Sequence, residues 1–256
     1  MLAEERKETI MNIIEREHSV KVAELSKLLN ITEVTVRRDL EELQQQHKIQ
    51  RVHGGAVSTN PSNRQFCDTE LSIICMEEKK RIATAAFPFV SNDDSILMDA
   101  STTVFELAKL LMKSDLTGLS IITNSFSLVS LLRESKIRVV HTGGQLFPRM
   151  NCTVGPLGEQ MLQNLRVDKC FMGTNGIDPT YGYSVPSFED ASIKKCMLTA
   201  SKQNFILADH TKLGESYTAK FANFSGDIDY FITDCFTDDF DASTFDSGTT
   251  VLLARP

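Results

Sequence analysis

The chain has 256 residues, 41% hydrophobic and 24% charged, which is ordinary for a globular protein with a sizeable core. Its formal net charge of −7 excludes a surface that is basic throughout, but a small nucleic-acid-binding module needs only a local basic footprint. The sequence shows neither a secretory signal nor a run of roughly 20 apolar residues that would cross a membrane. Its six cysteines form no CxxC pair and have no zinc-ligand spacing. We therefore expect a cytoplasmic protein with reduced cysteines and without a metal or cofactor.

The pattern of residues divides the chain into three regions. Residues 1–57 are helix-rich and end in a short basic strand pattern, whereas residues 58–76 contain the polar stretch STNPSNRQF, which is typical of a linker. From residue 77 to 256, apolar strand-like runs alternate with helical patterns. This alternation predicts βαβ units and a mainly parallel sheet, and hence an α/β domain after the linker.

The first region begins with two amphipathic helices, predicted at about 4–16 and 22–29. Each carries an apolar stripe at helical spacing, namely Ile10, Ile13 and Ile14 in the first and Leu25, Leu28 and Leu29 in the second. Asn30 suits a left-handed end of the second helix, and Thr32 suits the N-cap of a third.

The third helix reads EVTVRRDLEELQQQ, with an apolar stripe at Val36, Leu40 and Leu43. Helical geometry directs Arg38 away from this stripe, with Thr35 and Arg37 flanking it. Two short helices joined by a tight turn, the second with Thr and Arg near its start, follow the helix-turn-helix plan for entering the DNA major groove. On the helix pattern alone, a solvated amphipathic face remains the alternative.

A basic strand and a glycine turn follow the third helix. Residues 48–52 are predicted to form a strand, Gly54 and Gly55 a turn or wing tip, and residues 19–20 a pairing strand. Basic side chains of this wing would then face the DNA backbone. The predicted DNA-binding residues are Thr32, Thr35, Arg37, Arg38, Lys48, Arg51 and His53.

In the second region, polar or glycine-rich segments follow several predicted strands. The segments are residues 99–103, 123–125, 143–144, 173–176 and 209–212. Ligands of open α/β sheets bind at the carboxyl ends of the strands, and a helix N-terminus with hydroxyls and free N–H groups suits an anion. Each segment alone is better explained by a turn or a helix cap than by a ligand site. Their joint placement favours a ligand site, in which Lys212 is a candidate for neutralising a phosphate.

Several stretches resemble the DeoR family of bacterial regulators. They are TEVTVRRDLEELQQQHKIQRVHGGAV in the first region and LMDASTT, IITNS, HTGG, FMGTNGID, EDASIKK and LADHTKLG in the second. The resemblance implies a winged helix-turn-helix followed by a three-layer α/β/α sensor domain similar to ribose-5-phosphate isomerase. Lys21, Ala100 and Asp190 depart from the family, which more often has a small capping residue, Gly and Glu there.

The resemblance also implies a phosphorylated sugar or related metabolite as the effector. Ser101, Thr102 and Thr103 would then hold the phosphate. The remaining effector-binding residues would be Asp99, Asn124, Gly143, Gly144, Gly176, Asp190, Lys194, Asp209 and Lys212.

Three functions are compatible with these patterns. The favoured one is a repressor of a carbohydrate-utilisation operon, a homodimer or homotetramer that binds double-stranded operator DNA, releases it on binding a phosphorylated sugar, and has no membrane partner. The second is a sugar-phosphate isomerase-like enzyme that uses carboxylates and Lys194 for acid–base chemistry. The third is a module for an apolar ligand or a protein partner. An isomerase has no need of a helix-turn-helix, which favours the first.

Overall fold

A computed structural model of the chain describes residues 3–17, 19–46, 48–52, 54–58, 71, 74–237, 240–245 and 247–255. It divides the chain into two compact units, Met1–Cys75 and Met76–Pro256. The predicted domain limits at residues 57 and 77 stay predictions, because most of the linker lies outside the described residues.

In its described part, the N-terminal unit has three helices and three short strands. They are α1 (Ala3–Glu17), β1 (Ser19–Lys21), α2 (Val22–Leu29), α3 (Glu33–Gln45), β2 (Ile49–Val52) and β3 (Gly55–Ser58). The predicted helices and both predicted caps are present: Asn30 ends α2 with a φ of 52°, and Thr32 caps α3. Lys21 precedes α2 and makes no side-chain cap.

The predicted apolar stripes form the core of this unit, with one error. Val36, Leu40 and Leu43 are buried against α1, but Leu28 is 66% exposed. At 100° per residue, Leu28 lies roughly 90° around α2 from the mean direction of the buried Val22 and Leu25.

The wing differs from the predicted pairing. The strand order is β1–β3–β2, so β1 pairs with β3 rather than with the strand at residues 49–52. Gly54 forms the turn with a φ of 85°, and Gly55 already belongs to β3. A side chain at Gly55 would collide with the backbone of Val20, so this close pairing requires glycine.

The second unit is built around a parallel sheet. In its described residues the helices are α4 (Met76–Ala86), α5 (Thr102–Lys113), α6 (Phe126–Leu132), α7 (Pro156–Gln163) and α8 (Phe188–Ala200). The sheet strands are β4 (Ser95–Met98), β5 (Ser120–Thr123), β6 (Arg138–His141), β9 (Val167–Met172), β12 (Ser201–Leu207), β14 (Tyr230–Thr233) and β15 (Thr250–Leu253). The remaining strands are β7 (Gln145–Phe147), β8 (Cys152–Val154), β10 (Gly176–Asp178), β11 (Gly182–Val185) and β13 (Ala219–Ala222).

Both faces of the parallel sheet are covered, which confirms the three-layer prediction. Ile96 and Met98 pack with α4, α5 and α6, whereas Leu97 between them faces α7 and α8. The small antiparallel sheet β10–β11–β13 packs on the same side as α8. Among the described residues, no helix has both the length and the apolarity needed to cross a membrane.

The strand order locates a crevice in this sheet. The described strands follow the order β15–β14–β12–β9–β4–β5–β6, with every neighbouring pair parallel. The chain moves outward from β4 through β5 to β6, and then returns to β9 on the other side of β4. This reversal makes the carboxyl ends of β4 and β9 the topological switch point, where such sheets bind ligands.

Candidate functional site

The start of α3 presents the residues predicted to contact DNA. The Thr32 hydroxyl accepts the N–H of Thr35 at 3.3 Å and lies 2.9 Å from the Thr35 hydroxyl. The side chains of Arg37 and Arg38 are mostly exposed and pair with Glu33 at 3.0 Å and Glu42 at 3.4 Å. Exposed ion pairs of this kind contribute little stability, so the guanidinium groups are available to a stronger anion.

The opposite side of α3 is fastened to α1. Arg6 donates two hydrogen bonds to the buried Asp39 carboxylate, at 2.5 and 2.8 Å, and Lys7 pairs with Glu42 at 2.9 Å. The sequence analysis missed this clamp. Its signal was the position of Asp39 on the apolar stripe, where a carboxylate needs a partner.

The wing residues were predicted to face the DNA backbone. Lys48 is exposed, and Arg51 is half-buried with a guanidinium nitrogen 3.9 Å from the Glu41 carboxylate. His53 lies outside the described residues. Contact of these residues with DNA stays a prediction.

At the switch point, the structure joins Asp99 from β4 to Lys194 from α8. The buried Lys194 ammonium donates to the Asp99 carboxylate and, at 3.1 Å, to the carbonyl of Gly173. Asp99 also accepts the N–H groups of Ser101 and Gly173, each at 2.9 Å. The site prediction omitted Gly173, where a side chain would collide with Ser101.

The Asp99–Lys194 pair influences the pKa values of the buried groups at the switch point. Burial alone would lower the pKa of Lys194, but the charges of Asp99 and Asp190 raise it, so the ammonium stays protonated. Burial raises the pKa of Asp190, and the charge of Asp99 raises it further against the opposing effect of Lys194. The predicted residues Asp99, Asp190 and Lys194 therefore form one electrostatic cluster.

The predicted phosphate-binding residues begin α5, but fewer free donors are present than expected. Ser101 is the N-cap, and its hydroxyl accepts the N–H of Thr103 at 3.2 Å. The N–H of Ser101 is already bonded to Asp99. A phosphate here would face hydroxyls, later amides of the helix start and the Lys194 charge rather than a fully open set of N–H groups.

On the β5 and β6 side, the buried Asn124 donates to the carbonyl of Thr153 at 2.9 Å. Its Oδ1 atom is buried without a hydrogen-bond donor among the described residues, an arrangement that buried polar atoms rarely show. Gly143 and Gly144 have φ values of 70° and 123°, and a side chain at Gly144 would approach the Val154 carbonyl within 2.6 Å. This side combines an unsatisfied acceptor with backbone that only glycine readily adopts.

On the β12 side, Asp209 caps the 3-10 turn that carries Lys212. Burial raises the pKa of Asp209, but the charges of Lys212 and Lys79 and the bonds from Thr211 outweigh this and lower it overall. The next residue, His210, is bonded to the Asp234 carboxylate through its backbone N–H and its Nδ1 atom, each at 2.8 Å. The sequence analysis did not identify His210.

The structure does not bring all the predicted effector residues onto one small ligand. Gly143 follows β6 and Lys212 follows β12, four strand positions away. At about 4.8 Å per strand, these ends lie roughly 19 Å apart. Gly176 is the first residue of β10, and its side-chain position is filled by the Glu215 backbone, which indicates a packing role.

The model describing the DeoR C-terminal sensor domain matches residues 74–235, and the model describing the DeoR-like helix-turn-helix domain matches residues 6–62. Among solved structures, ribose 5-phosphate isomerase A from Methanocaldococcus jannaschii is 20% identical, with 54% of this chain and 55% of that chain covered and a TM-score of 0.39.

Relatives match over nearly their whole length. The uncharacterised HTH-type transcriptional regulator YulB of Bacillus subtilis is 37% identical over 91% of this chain and 90% of its own. The HTH-type transcriptional regulator GlpR of Haloferax volcanii is 34% identical, with 91% of both chains covered. The HTH-type transcriptional repressor GlcR of B. subtilis is 32% identical over 91% of this chain and 89% of its own. The chain therefore belongs to the DeoR family of DNA-binding transcription regulators, with a helix-turn-helix followed by a sensor domain.

Proposed function

We propose that this regulator represses a carbohydrate-utilisation operon and leaves its operator when a phosphorylated sugar binds the carboxyl edge of the sensor sheet. It would bind DNA as a homodimer or homotetramer through Thr32, Thr35, Arg37, Arg38 and the wing. The name of the relative GlcR, a transcriptional repressor, supports repression.

The observation that carries the effector proposal is the cluster at the switch point. A buried, charged Lys194 lies beside the hydroxyl-rich start of α5, and Asn124 on the neighbouring strand has a buried acceptor without a donor. A phosphate would interact with the Lys194 ammonium and with the start of α5, and a sugar hydroxyl would donate a hydrogen bond to the Oδ1 atom of Asn124. Lys212, at the far end of a longer ligand, would add a second positive charge.

The first sensor helix supplies a physical route from this edge to the linker. In sequence, α4 follows the linker directly, and its buried Lys79 contributes to lowering the pKa of Asp209. Arg81, two residues on, lies 3.9 Å from the Asp234 carboxylate at the end of β14. A ligand that binds beside Asp209 would change the charges around Lys79 on α4, and operator release requires that this interaction differ between the DNA-bound and free states of the regulator.

A second candidate is isomerase-like catalysis. It is favoured by Asp190, because a carboxyl group with a raised pKa beside Lys194 suits a general acid or base. Turnover of ribose 5-phosphate by the purified chain would support it. Operator release by a sugar phosphate without turnover supports the regulator.

Thermal denaturation with a panel of sugar phosphates and the matching free sugars tests the effector proposal. A true effector at 100 times its Kd stabilises the native state by about 2.7 kcal/mol, and the unphosphorylated sugar does not. Lys212→Gln should weaken this response, and Lys195→Gln, which changes an exposed lysine on α8, should not. Equal stabilisation by phosphorylated and free sugars would contradict a phosphate site.

The same ligand should release operator DNA in a gel shift. Ser101→Ala and Thr102→Val should reduce release while leaving DNA affinity in the absence of ligand unchanged. Release that persists unchanged in both variants would move the site away from the start of α5.

A further inference from the structure

Val34, the second residue of α3, is an apolar side chain in a polar setting. It is 75% exposed, and in the described part of the N-terminal unit it shares this degree of exposure only with Leu28 on α2. Thr32 and Thr35 are bonded to each other across the same turn, and Arg38 follows one turn later. An exposed isopropyl group at this position is therefore isolated within a surface of hydroxyls and charges.

Helical geometry places Val34 in the centre of the face turned away from the core. At 100° per residue, it lies roughly 150° from the mean direction of Val36, Leu40 and Leu43, and roughly 40° from Arg38. The Arg38 side chain is 81% exposed. Any surface that meets Arg38 thus meets Val34 as well.

We infer that Val34 reads the 5-methyl group of a thymine in each operator half-site. This inference rests on the proposed DNA-binding function. Residues at the start of a recognition helix contact base edges in the major groove, and the thymine methyl is the apolar feature of that groove. The isopropyl group has no donor or acceptor, so it discriminates thymine by apolar contact.

A protein partner is the other occupant that an exposed valine would suit. The charges beside it favour DNA, because Arg37 and Arg38 flank Val34 and both guanidinium side chains are mostly exposed, at 58% and 81%. A polyanion binds these two side chains, and the valine then faces the bases between the contacted phosphates.

Replacement of thymine by deoxyuridine removes the methyl group and leaves the hydrogen-bonding edges unchanged, which gives a direct test. The full chain first selects its site from a random double-stranded DNA library. The selected site is then synthesised with each thymine replaced in turn by deoxyuridine, and affinities are measured for the wild type, Val34→Ala and Leu28→Ala. Leu28→Ala is the matched control, since it truncates a similarly exposed apolar residue outside α3.

The wild type should lose roughly fourfold in affinity at one thymine per half-site, the value of one buried methyl-sized group. Val34→Ala should bind the thymine and deoxyuridine forms of that position equally, while Leu28→Ala keeps the wild-type pattern. Circular dichroism should show unchanged folding, because Val34 is exposed.

Two results would overturn the inference while leaving DNA binding intact. In one, the wild type binds every deoxyuridine-substituted site with the same affinity as the thymine site; in the other, Val34→Ala keeps the wild-type pattern of affinities. If the wild type does not distinguish thymine from deoxyuridine and Val34→Ala self-associates more weakly, Val34 belongs to a protein contact instead. A chain that selects no sequence at all would instead refute the DNA-binding proposal, and this inference with it.

Discussion

Individual residues of α3 distinguish a side that packs against α1 from an exposed side that is available to DNA. The buried Asp39 is bonded to the partly buried Arg6 of α1, whereas Arg37 and Arg38 of the same helix as Asp39 extend into solvent. Glu42 contacts both Lys7 of α1 and Arg38, so substitutions on the exposed side that leave Glu42 in place should change DNA affinity with little effect on stability.

Arg38→Ala should abolish operator binding in a gel shift and leave the melting temperature unchanged. The physical reason is that one bidentate base contact contributes about 1–3 kcal/mol in each half-site, while the ion pair of the mostly exposed Arg38 with Glu42 contributes little to folding. Lys27→Ala, at an exposed position on α2, is the control and should bind normally. Wild-type affinity of the Arg38 variant would remove this residue from the interface.

Lys194→Met should destabilise the sensor domain by about 3–5 kcal/mol, because the buried Asp99 carboxylate loses its positive partner. Urea unfolding measures the loss. The double variant Asp99→Asn with Lys194→Met should recover much of it, since both charges are then absent. If the single variant unfolds at the same urea concentration as the wild type, the pair has no role in holding β4 to α8.

At the scale of elements, the amino ends of three neighbouring strands are tied by one carboxylate. Asp168 on β9 accepts the N–H and hydroxyl of Ser95 on β4, at 3.0 and 2.6 Å, and pairs with Lys202 on β12 at 2.8 Å. These bonds hold the pKa of Asp168 well below its ordinary range, and the bond from Lys202 has the largest effect.

The lowered pKa of Asp168 determines how the stability of the folded state depends on pH. A carboxyl group with a folded pKa below its unfolded value stabilises the native state above the unfolded pKa, and this stability is lost as pH falls. Asp168→Asn should therefore cost about 1 kcal/mol at pH 7, a modest value because Asp168 is partly exposed. The difference in melting temperature between the variant and the wild type should begin to shrink as pH falls below about 4, the unfolded pKa, and should keep shrinking towards the lowered pKa of the folded state. Asp115→Asn on an exposed loop is the control, and a gap that widens in acid would contradict the assignment.

At the scale of the whole molecule, we expect a homodimer or homotetramer with a two-part operator. Helix-turn-helix dimers bind half-sites about 34–36 Å apart, or at a multiple of this spacing. Light scattering after gel filtration should give two or four times the mass of one chain, and deletion of one half-site should sharply weaken binding. A monomer that binds a single half-site with full affinity would show that the assembly is unnecessary.

Local features were readable without coordinates because they depend on neighbours in the chain. The Thr32 cap, the left-handed Asn30 and the stripe of Val36, Leu40 and Leu43 follow from helix period and end chemistry. The alternating strands and helices likewise predicted a mainly parallel sheet, and the resemblance to the DeoR family implied its three layers. The DeoR-like stretches predicted the family, whereas the effector site at the polar strand ends stays a prediction.

Pairings between distant residues required the tertiary structure. Asp99 and Lys194 are 95 positions apart, and they meet because β4 and β9 are neighbours and α8 packs across them. The same fold separated Gly143 from Lys212, gave Gly176 a packing role, exposed Leu28 and paired β1 with β3. Hydrophobic period specifies which face of an element is buried, but strand order and helix docking depend on the packing of the whole core, which no local window contains.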